Sequence, residues 1–281
     1  MFIDTHCHLN FEAFEKDYRV VVEKARKAGV NKILTVGVDI ETSKRAVEIA
    51  NELEGVKATV GFHPHHCRAL LENSKFQIPN SKKISNIKNQ LRKLARDNKV
   101  VGIGECGLDY YEYKNTKYPP KAKAFRRVGR NLQKQVFGMQ IQLTKELNLP
   151  MVIHNRKADM DVLDILDHFC KSDKRYPTGV FHCISGSKEY VKKVLEMGFY
   201  IGIDGNVTYS KSVQELAKII PLEKLVLETD SPLLSPEPNR RLRNEPISVK
   251  ITAEFLARLK NISLDKLKTS TTQNAEVLFK L

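Results

Sequence analysis

The sequence contains no tryptophan, no long run of apolar residues, and no two cysteines spaced as CxxC. A bilayer-spanning helix needs about 20 consecutive apolar residues, so the missing run argues against that class of protein. The 5 cysteines are odd in number, which argues against a disulfide framework and against a thiolate zinc site. Acidic residues are also scarce, because 33 Asp and Glu against 47 Lys and Arg leave a net charge of +14. With 41% hydrophobic residues, the chain is expected to form a soluble globular protein.

Residues 1–10 carry Asp4, His6 and His8 where a secretory signal peptide has a basic start and an apolar stretch. Together with the cysteine usage, this predicts a cytoplasmic protein, and the scattered basic residues leave nuclear entry open. We expect no membrane association and infer no obligate protein partner. The positive charge predicts a partner that carries phosphate, although composition does not choose between nucleic acid, nucleotide and lipid headgroup. The alternative is a basic protein whose charge serves solubility only.

Eight short runs of apolar and β-branched residues recur along the chain and predict eight β-strands. The predicted strands are 2–5, 32–38, 57–62, 100–104, 151–153, 179–181, 199–203 and 225–227. Helical patterns lie between most of them; Gly29 ends one, and Thr42 and Ser187 are candidate N-caps of two others. Alternating strand and helix signals indicate parallel βαβ units, and eight such units predict an α/β fold, the (β/α)8 TIM barrel.

A doubly wound open sheet is the competing architecture. The residues at the strand ends favour the barrel, because a polar or ionisable residue ends or succeeds all eight predicted strands: His6, Asp39, His63, Glu105, His154, His182, Asp204 and Asp230. A barrel gathers all its strand ends at one rim, where barrel enzymes have their active sites, whereas an open sheet gathers only those near its switch point. No linker, repeat or low-complexity segment divides the sequence, so we expect one domain over 1–281.

Four histidines and two carboxylates from five of these strand ends form a candidate metal site: His6, His8, Glu105, His154, His182 and Asp230. The side-chain period of two in a strand puts His6 and His8 on one face, where two nitrogens can bind one cation. Six ligands exceed what one tetrahedral ion with an open position needs, so we expect two divalent ions at the C-terminal rim. Glu105 can bridge ions about 3.5 to 4 Å apart, because its carboxylate has two oxygens. The mixed donors suit Zn²⁺, Mn²⁺ or Fe²⁺, and Mg²⁺ less naturally.

Three cysteines, Cys7, Cys106 and Cys183, are each one residue from a proposed ligand. Alternation along a strand points neighbouring side chains to opposite faces. We therefore expect these cysteines to pack in the core rather than bind metal.

The segments 64–99 and 108–149 are longer than usual barrel connections, and a helix is expected only after Gln135 in the second. This second segment interleaves basic and aromatic residues: Lys114, Lys117, Lys121, Lys123, Arg126, Arg127, Arg130 and Lys134, with Tyr110, Tyr111, Tyr113 and Tyr118. Cations attract the phosphates of a single strand and aromatic rings stack on its bases, so the segment is a candidate nucleic-acid contact. The alternative is a solvated start of a helix, with the tyrosines packed inward.

Eight motifs occur in order along nearly the whole chain: HCHLN at His6, GFHPH at Gly61, GIGECGLDYY at Gly102, LPMVIHNR at Leu149, FHCISGS at Phe181, LETDSPLL at Leu227, RNEP at Arg243 and TQNAEVLF at Thr272. Together they resemble the TatD deoxyribonuclease family of amidohydrolase-like metal hydrolases. The resemblance implies a TIM barrel with a dinuclear site that hydrolyses DNA phosphodiesters, commonly as a 3′ to 5′ exonuclease. It also implies that His6, His8, Glu105 and Asp230 hold one ion, and that Glu105, His154 and His182 hold the other.

On this hypothesis the ions are Mg²⁺, Mn²⁺ or Zn²⁺, the substrate is DNA, single-stranded or at a 3′ end, and a metal-bound water attacks the phosphate. Asp230 is expected to take the proton from that water, with Glu105 as its catalytic partner. His63, His65 and Arg156 would hold the phosphate or stabilise the leaving oxygen. His66 and His168 are expected to be surface or structural histidines.

The chain departs from the family pattern at Lys157, because the family usually has an acid after the arginine that corresponds to Arg156. That acid is therefore absent here or displaced to Asp159. The chain also has about ten extra residues after the GLDYY motif, and the role of this basic insertion around 112–130 is not predicted.

Two functions of other classes compete. An amidohydrolase that cleaves C–N bonds shares the barrel, the HxH motif and the late aspartate, but many such enzymes bridge their metals with a lysine on the fourth strand. The run 100–104 has no lysine and ends at Glu105, which disfavours that arrangement. A non-catalytic nucleic-acid binder is the other alternative, and the intact set of ligands argues against it.

Overall fold

A computed structural model describes residues 1–71, 81–111, 123–170 and 175–281. Its eight strands are all parallel and follow one another around a single sheet in sequence order: β1 (Phe2–Cys7), β2 (Val30–Val36), β3 (Val56–Val60), β4 (Val100–Asp109), β5 (Met151–Arg156), β6 (Gly179–Phe181), β7 (Tyr200–Ile203) and β8 (Leu225–Leu227). The chain after β8 pairs with the end of β1, since the Asp230 amide donates to the His6 carbonyl at 2.8 Å. The sheet is thus a nearly closed barrel, which confirms the TIM barrel and excludes the open sheet.

The described helices alternate with the strands: α1 (Tyr18–Lys27), α2 (Ile40–Glu52), α3 (Ser81–Leu94), α4 (Lys123–Leu147), α5 (Asp159–Cys170), α6 (Lys188–Glu196), α7 (Lys211–Ile219), α8 (Val249–Leu259) and α9 (Leu264–Phe279). Several predicted strand ends differ from the observed ones by up to three residues, and two elements differ by more. Helix α4 begins at Lys123 and not after Gln135, because the lysines and arginines of this segment are good helix formers. Strand β4 continues past the predicted end to Asp109.

The N-terminus of α2 corrects one prediction and that of α6 confirms another. Asp39 caps α2, and Thr42 is its third helical residue: Asp39 Oδ1 accepts from the Thr42 amide at 2.8 Å, and the Thr42 hydroxyl accepts from the Asp39 amide at 2.9 Å. This reciprocal pair of hydrogen bonds is a capping box, in which the side chain of each residue accepts from the backbone amide of the other. Thr42 is therefore part of the cap, but the N-cap residue is Asp39. Ser187 caps α6 as predicted, accepting from the Tyr190 amide at 3.1 Å.

Helix α9 covers the amino-terminal end of the barrel. Its side chains Ala275, Leu278 and Phe279 pack in one buried cluster with apolar residues of six strands: Ile3, Leu34, Val101, Val152, Val180 and Val226. A second and larger apolar cluster fills the space between the strands and the outer helices. With α9 over one end, the carboxyl ends of the strands form the rim at which a cavity opens.

Candidate metal centre

The six predicted ligands meet at the carboxyl-terminal rim of the barrel. His6, Glu105 and His154 lie on β1, β4 and β5, whereas His8, His182 and Asp230 come shortly after strands. Glu105 is 4% exposed and His6 is fully buried, so the polar groups of the cluster are largely removed from water. A cavity of about 480 Å³ opens above them. The six side chains that were predicted to converge at the strand ends therefore lie together in the structure.

The two oxygens of Glu105 face different histidines. Oε2 lies 3.5 Å from His6 Nε2 and 3.8 Å from His8 Nε2, whereas Oε1 lies 2.9 Å from both His154 Nδ1 and His182 Nε2. The cluster thus has two halves, with the Glu105 carboxylate between them.

Close packing of the backbone places Glu105. A Cβ at Gly61 would lie 2.4 Å from the carbonyl carbon of Gly104, so only glycine at 61 allows β3 and β4 to approach this closely. The Glu105 amide also donates to the Gly37 carbonyl at 2.9 Å. Gly61, in the GFHPH motif, therefore has a direct structural role in placing Glu105.

Asp230 completes the half that contains His6 and His8. Its Oδ1 lies 3.6 Å from His6 Nε2 and 3.4 Å from His8 Nε2. The backbone of Asp230 has φ +54°, a conformation that L residues adopt rarely and that often marks functional sites.

The nitrogen atoms of the cluster suit a divalent cation. His6 Nε2 and His8 Nε2 are 3.3 Å apart, and His154 Nδ1 and His182 Nε2 are 3.1 Å apart. In His8 the other nitrogen, Nδ1, lies 2.9 Å from the Val36 carbonyl, which only an N–H can satisfy. The hydrogen bond to Asp230 raises the pKa of His8 against the effect of burial, and in the neutral ring the lone pair is on Nε2, directed into the cluster, where a cation can replace the proton.

Burial and the neighbouring carboxylates set the protonation of the histidines. Burial lowers the pKa of His6 to about 4 and that of His63 to about 3, so both rings are neutral near pH 7. Burial also opposes charge on His154, but hydrogen bonds to Asp109 and Glu105 outweigh it and raise the pKa of this ring to about 9.

The carboxylates of the cluster remain ionised. Burial works against a charge on Glu105, but His182, His63 and the other rings outweigh it and hold the pKa of the carboxyl well below its usual range. The pKa of Asp230 is also lowered, because its hydrogen bond to His8 and the other nearby rings outweigh burial. Metal ions bind ionised carboxylates and neutral imidazoles, so the ring of His154, whose pKa is raised, must release its proton when an ion binds.

The three predicted phosphate contacts occupy different places. His63 is 7% exposed and its Nε2 lies 3.2 Å from Glu105 Oε1, so its position is that of a possible metal ligand. His65 is partly exposed and pairs with Asp109 at 2.7 Å. Arg156 lines the cavity, with its guanidinium 4.0 Å from the centre of the Tyr111 ring.

Asp109 is a site residue that sequence analysis missed. Its Oδ2 lies 3.3 Å from His154 Nε2 and 2.7 Å from His65 Nε2. Burial alone would raise the pKa of Asp109, but the hydrogen bonds from His154 and His65 outweigh it and lower the pKa. Asp109 lies in the GLDYY motif, four residues after Glu105 on β4, so the strand period could have placed both side chains on one face.

The contacts of Asp159 do not support a displacement of the missing family acid to this position. Asp159 Oδ1 accepts from Asn155 Nδ2 at 2.8 Å, and Asn155 also donates to the Tyr190 hydroxyl at 2.8 Å. It is Asp109 that bonds to the outer nitrogen of His154.

Three further buried carboxyl groups surround the centre: Asp4, Asp204 and Glu228. Burial raises the pKa of Asp4 to about 8 and that of Asp204 to about 7. Glu228 Oε1 accepts from the Cys183 amide at 2.6 Å, while Oε2 has no hydrogen-bond partner among the described residues. Glu228 groups with His6 and His182 in an arrangement that could also hold an ion.

Two of the three cysteines next to the ligands pack in the core, as expected. Cys7 and Cys106 are fully buried, and their thiols lie against the Leu34 and Val152 carbonyls. Cys183 differs, because it lines the cavity and has φ +47°. None of the five cysteines, all within the described ranges, forms a disulfide.

The two remaining histidines lie outside the ligand cluster. His66 lines the edge of the cavity, with Nδ1 3.3 Å from Asp39 Oδ2. His168 lies on α5, where its ring contacts that of Phe169.

Only part of the basic segment is described. Lys114, Lys117, Lys121, Tyr113 and Tyr118 lie outside the described residues, as do the side chains of Lys123, Arg126 and Arg127. Tyr110 matches the alternative, since it packs against the core, its hydroxyl donates to Asp161 at 2.6 Å and Arg130 lies over its ring. Lys134 also pairs with Asp161, at 2.8 Å.

Among the described residues, none of the helices combines the length and apolar composition that crossing a bilayer requires.

Comparisons with known proteins agree with the geometry. A family model described as "TatD related DNase" matches residues 3–280. The "Uncharacterized metal-dependent hydrolase YabD" of Bacillus subtilis (strain 168) is 37% identical over 283 residues, covering 100% of both chains. The "Putative deoxyribonuclease TATDN3" of Mus musculus is 30% identical over 280 residues, covering 99% of this chain and 87% of its own.

A solved structure gives the same result. The crystal structure of YJJV, a TatD homologue from Escherichia coli K12, is similar with a TM-score of 0.83 and 25% sequence identity, covering 100% of this chain and 98% of that chain. The matches extend from one end of the sequence to the other. The chain therefore belongs to the TatD-related DNase family of metal-dependent hydrolases.

Proposed function

We propose that this chain is a divalent-metal-dependent deoxyribonuclease that hydrolyses DNA phosphodiester bonds from the 3′ end. The observation that carries the proposal is the position of Glu105, whose two oxygens face two separate groups of histidines. A carboxylate between two ligand groups is suited to a pair of ions, the arrangement that many phosphodiester-cleaving enzymes use. The names of the family and of the mouse relative support DNA as the substrate.

Two ions would be held by residues that share Glu105. His6, His8 and Asp230 would hold one with Glu105 Oε2, and His154 and His182 would hold the other with Oε1. When bound, Mg²⁺, Mn²⁺ or Zn²⁺ supplies charge neutralisation at the phosphate and lowers the pKa of a coordinated water.

The residues of the chain would bind the substrate and move the proton. Asp230 lines the cavity and its lowered pKa keeps it ionised near pH 7, so it can accept a proton as the general base. Arg156 and His65, at the cavity edge, would bind phosphate oxygens with charge-assisted hydrogen bonds. His63, deeper in the cavity, would either join them or ligate beside Glu105.

The setting of the reaction can be inferred from accessibility and from the cysteines. The catalytic groups are buried at the floor of a cavity, which a single strand or a frayed 3′ end enters more easily than an intact duplex.

The five cysteines, which form no disulfide, support a reducing cytoplasmic location.

Digestion of end-labelled DNA and RNA tests the proposal. Single- and double-stranded substrates are incubated with chelator-treated protein, then with added Mg²⁺, Mn²⁺ or Zn²⁺. We expect metal-dependent loss of nucleotides from the 3′ end of DNA. Absence of chelator-sensitive cleavage would overturn the proposal, and cleavage of cyclic amides in a parallel screen would indicate a C–N hydrolase instead.

Variants assign the roles. Asp230→Asn should abolish hydrolysis while DNA binding remains measurable, whereas Asp265→Asn, an exposed acid on α9, should match the wild type. Glu105→Ala should lose metal and activity together. Unchanged activity of Glu105→Ala would show that the hydrolysis does not depend on this centre, whereas DNA binding by the wild type without any hydrolysis would favour the non-catalytic binder.

A further inference from the structure

The cavity above the metal centre has two chemically different sides. Asn155 and Arg156 line it on the side of β5, where polar and positively charged groups predominate. Phe11, Leu233 and Leu234 line it on the side of β1 and β8, and they form what we call the apolar wall. The volume of about 480 Å³ is within the range of sites for small organic molecules.

The apolar wall exposes surface that a folded protein would normally bury. Leu233 is 54% exposed, and among the large apolar side chains that the described residues expose it alone lines this cavity. The ring of Phe11 stacks on that of the candidate ligand His8, with centroids 4.3 Å apart and planes 10° from parallel. Apolar surface beside a metal centre indicates a substrate with an apolar face close to its reacting group.

The loop that carries Leu233 is held in place by a buried amide. Asn244 is 1% exposed, and its Nδ2 donates to the Thr229 carbonyl at 2.8 Å and to the Leu233 carbonyl at 2.7 Å. The Leu233 amide donates to the Asp230 carbonyl at 2.9 Å. Leu233 is therefore fixed relative to Asp230, the proposed base, as a substrate-positioning side chain must be.

Positive charge lies on the opposite side. The Arg156 guanidinium is 4.0 Å and the Lys157 ammonium 5.0 Å from the centre of the Tyr111 ring. Phosphates of a bound strand are attracted to these cations, so its bases are left to contact the apolar wall.

We propose that the apolar wall binds the nucleobase of the nucleotide whose phosphodiester lies at the metal centre, with Leu233 as the main contact of the base. The inference rests on the proposed deoxyribonuclease function and adds the substrate subsite. Leucine and phenylalanine side chains form no hydrogen bonds with a base. The contact should therefore favour a nucleotide with a base over an abasic one, but it should not distinguish the four bases. A base can reach the wall only after it leaves the stack, so this subsite predicts faster cleavage of single strands and frayed ends than of intact duplex.

An abasic substrate tests the contact directly. Two otherwise identical oligodeoxynucleotides are compared, one with a normal and one with an abasic 3′-terminal nucleotide. The wild type should cleave the normal substrate with a kcat/KM about tenfold higher. Leu233→Ala should bring the ratio close to one, mainly by raising KM for the normal substrate.

The chain offers a matched control in the same loop. Leu242 is 66% exposed and does not line the cavity, so Leu242→Ala should keep the wild-type ratio. A wild-type ratio near one, or an unchanged ratio in Leu233→Ala, would overturn the proposal. Equal losses on both substrates would assign the wall to the sugar and also overturn it.

Binding without catalysis separates this inference from the proposed function. Saturation-transfer NMR with metal-free protein should show tighter binding of dAMP than of 2-deoxyribose 5-phosphate, and Leu233→Ala should abolish the difference. If the wild type cleaves no DNA, the proposed function fails, while this measurement still decides the subsite. Equal binding of the two ligands by the wild type would refute the subsite even if DNA is cleaved.

Discussion

The carboxylate of Asp109 lies 3.3 Å from Nε2 of His154, and Nδ1 of the same ring lies 2.9 Å from Glu105. One nitrogen therefore faces an outer acceptor and the other faces the metal cluster. An outer carboxylate of this kind fixes the tautomer and the orientation of a ligand histidine. Asp109 thus acts through His154, as a positioning residue.

Replacing Asp109 with asparagine should weaken metal binding by about 10- to 100-fold. Asparagine can still accept from the Tyr111 amide, as Asp109 Oδ1 does at 2.8 Å. Where its amide group faces His154, however, a donor meets a donor and the ring loses its preferred tautomer. Competition titration against a chromophoric chelator measures the affinity.

Asp159→Asn is the matched control for this prediction. Asp159 is a nearby acid whose carboxylate accepts from Asn155 rather than from a candidate ligand, so its removal should leave metal affinity within a few-fold of the wild type. Equal affinities of the Asp109→Asn and Asp159→Asn variants would show that Asp109 does not orient the ligand.

The barrel could be predicted from the sequence because buried parallel strands appear as continuous apolar runs, and each of the eight runs overlaps one strand. The ends of elements were less predictable. The amino-terminal part of α4 is rich in lysine and arginine and has little apolar periodicity, so its first turns resemble a loop in the sequence. At α2 both members of the capping box, Asp39 and Thr42, are residue types that cap helices, so the sequence alone does not tell which one is the N-cap.

The cluster of candidate ligands could be predicted because each member lies at a strand end, which the barrel brings to one rim. The outer carboxyl groups were harder to find. Asp4 and Glu228 lie within or beside apolar strands, and nothing in a local pattern shows which buried acid faces the cluster. The position of His63 against Glu105, rather than at the cavity mouth, depends on how β3 and β4 approach each other.

The buried acid Asp4 should make stability depend on pH. Burial raises its pKa to about 8 in the folded protein, against 3.8 for an unperturbed carboxyl. Below about pH 4 the carboxyl of Asp4 is protonated in both the folded and the unfolded state. As the pH rises toward 8, only the unfolded state releases this proton, which lowers the free energy of unfolding. This contribution to stability is therefore lost between about pH 4 and pH 8.

Asp4→Asn should remove this dependence, because asparagine mimics the neutral acid and can donate to the Thr229 hydroxyl, which lies 2.7 Å from Asp4 Oδ2. Between pH 5 and pH 7, the metal-free wild type should lose about 2 kcal/mol of unfolding free energy relative to the variant. Urea unfolding at both pH values measures the difference. Parallel profiles would contradict the prediction.

Asp17→Asn serves as the control of opposite sign. The hydrogen bond from Arg243 lowers the pKa of Asp17, so its contribution to stability is present above the unfolded pKa and is lost only in more acidic solution. Between pH 5 and pH 7 the unfolding free energy of Asp17→Asn should change with pH in parallel with that of the wild type.

The contact of α9 with the barrel should contribute strongly to stability. Phe279 is 1% exposed in the cluster that covers the amino-terminal end, so Phe279→Ala should cost about 3 to 5 kcal/mol of unfolding free energy. Val277, two residues earlier, is 71% exposed, and Val277→Ala should change the stability by less than about 0.5 kcal/mol. Denaturant unfolding of both variants measures this, and similar losses would show that α9 does not seal the barrel.

The net charge of +14 should act on DNA binding through a few cations at the rim rather than through the whole surface. Arg156 and Lys157 flank Tyr111 beside the cavity, whereas Lys266 is exposed on α9. Each phosphate contact that is lost should reduce the slope of log affinity against log salt by about 0.7 for a single strand. Arg156→Ala should therefore bind single-stranded DNA more weakly and with a shallower slope, and Lys266→Ala should keep the wild-type slope. Equal slopes for both variants, measured by fluorescence anisotropy from low to moderate salt, would mean that the charge at the rim does not guide the strand.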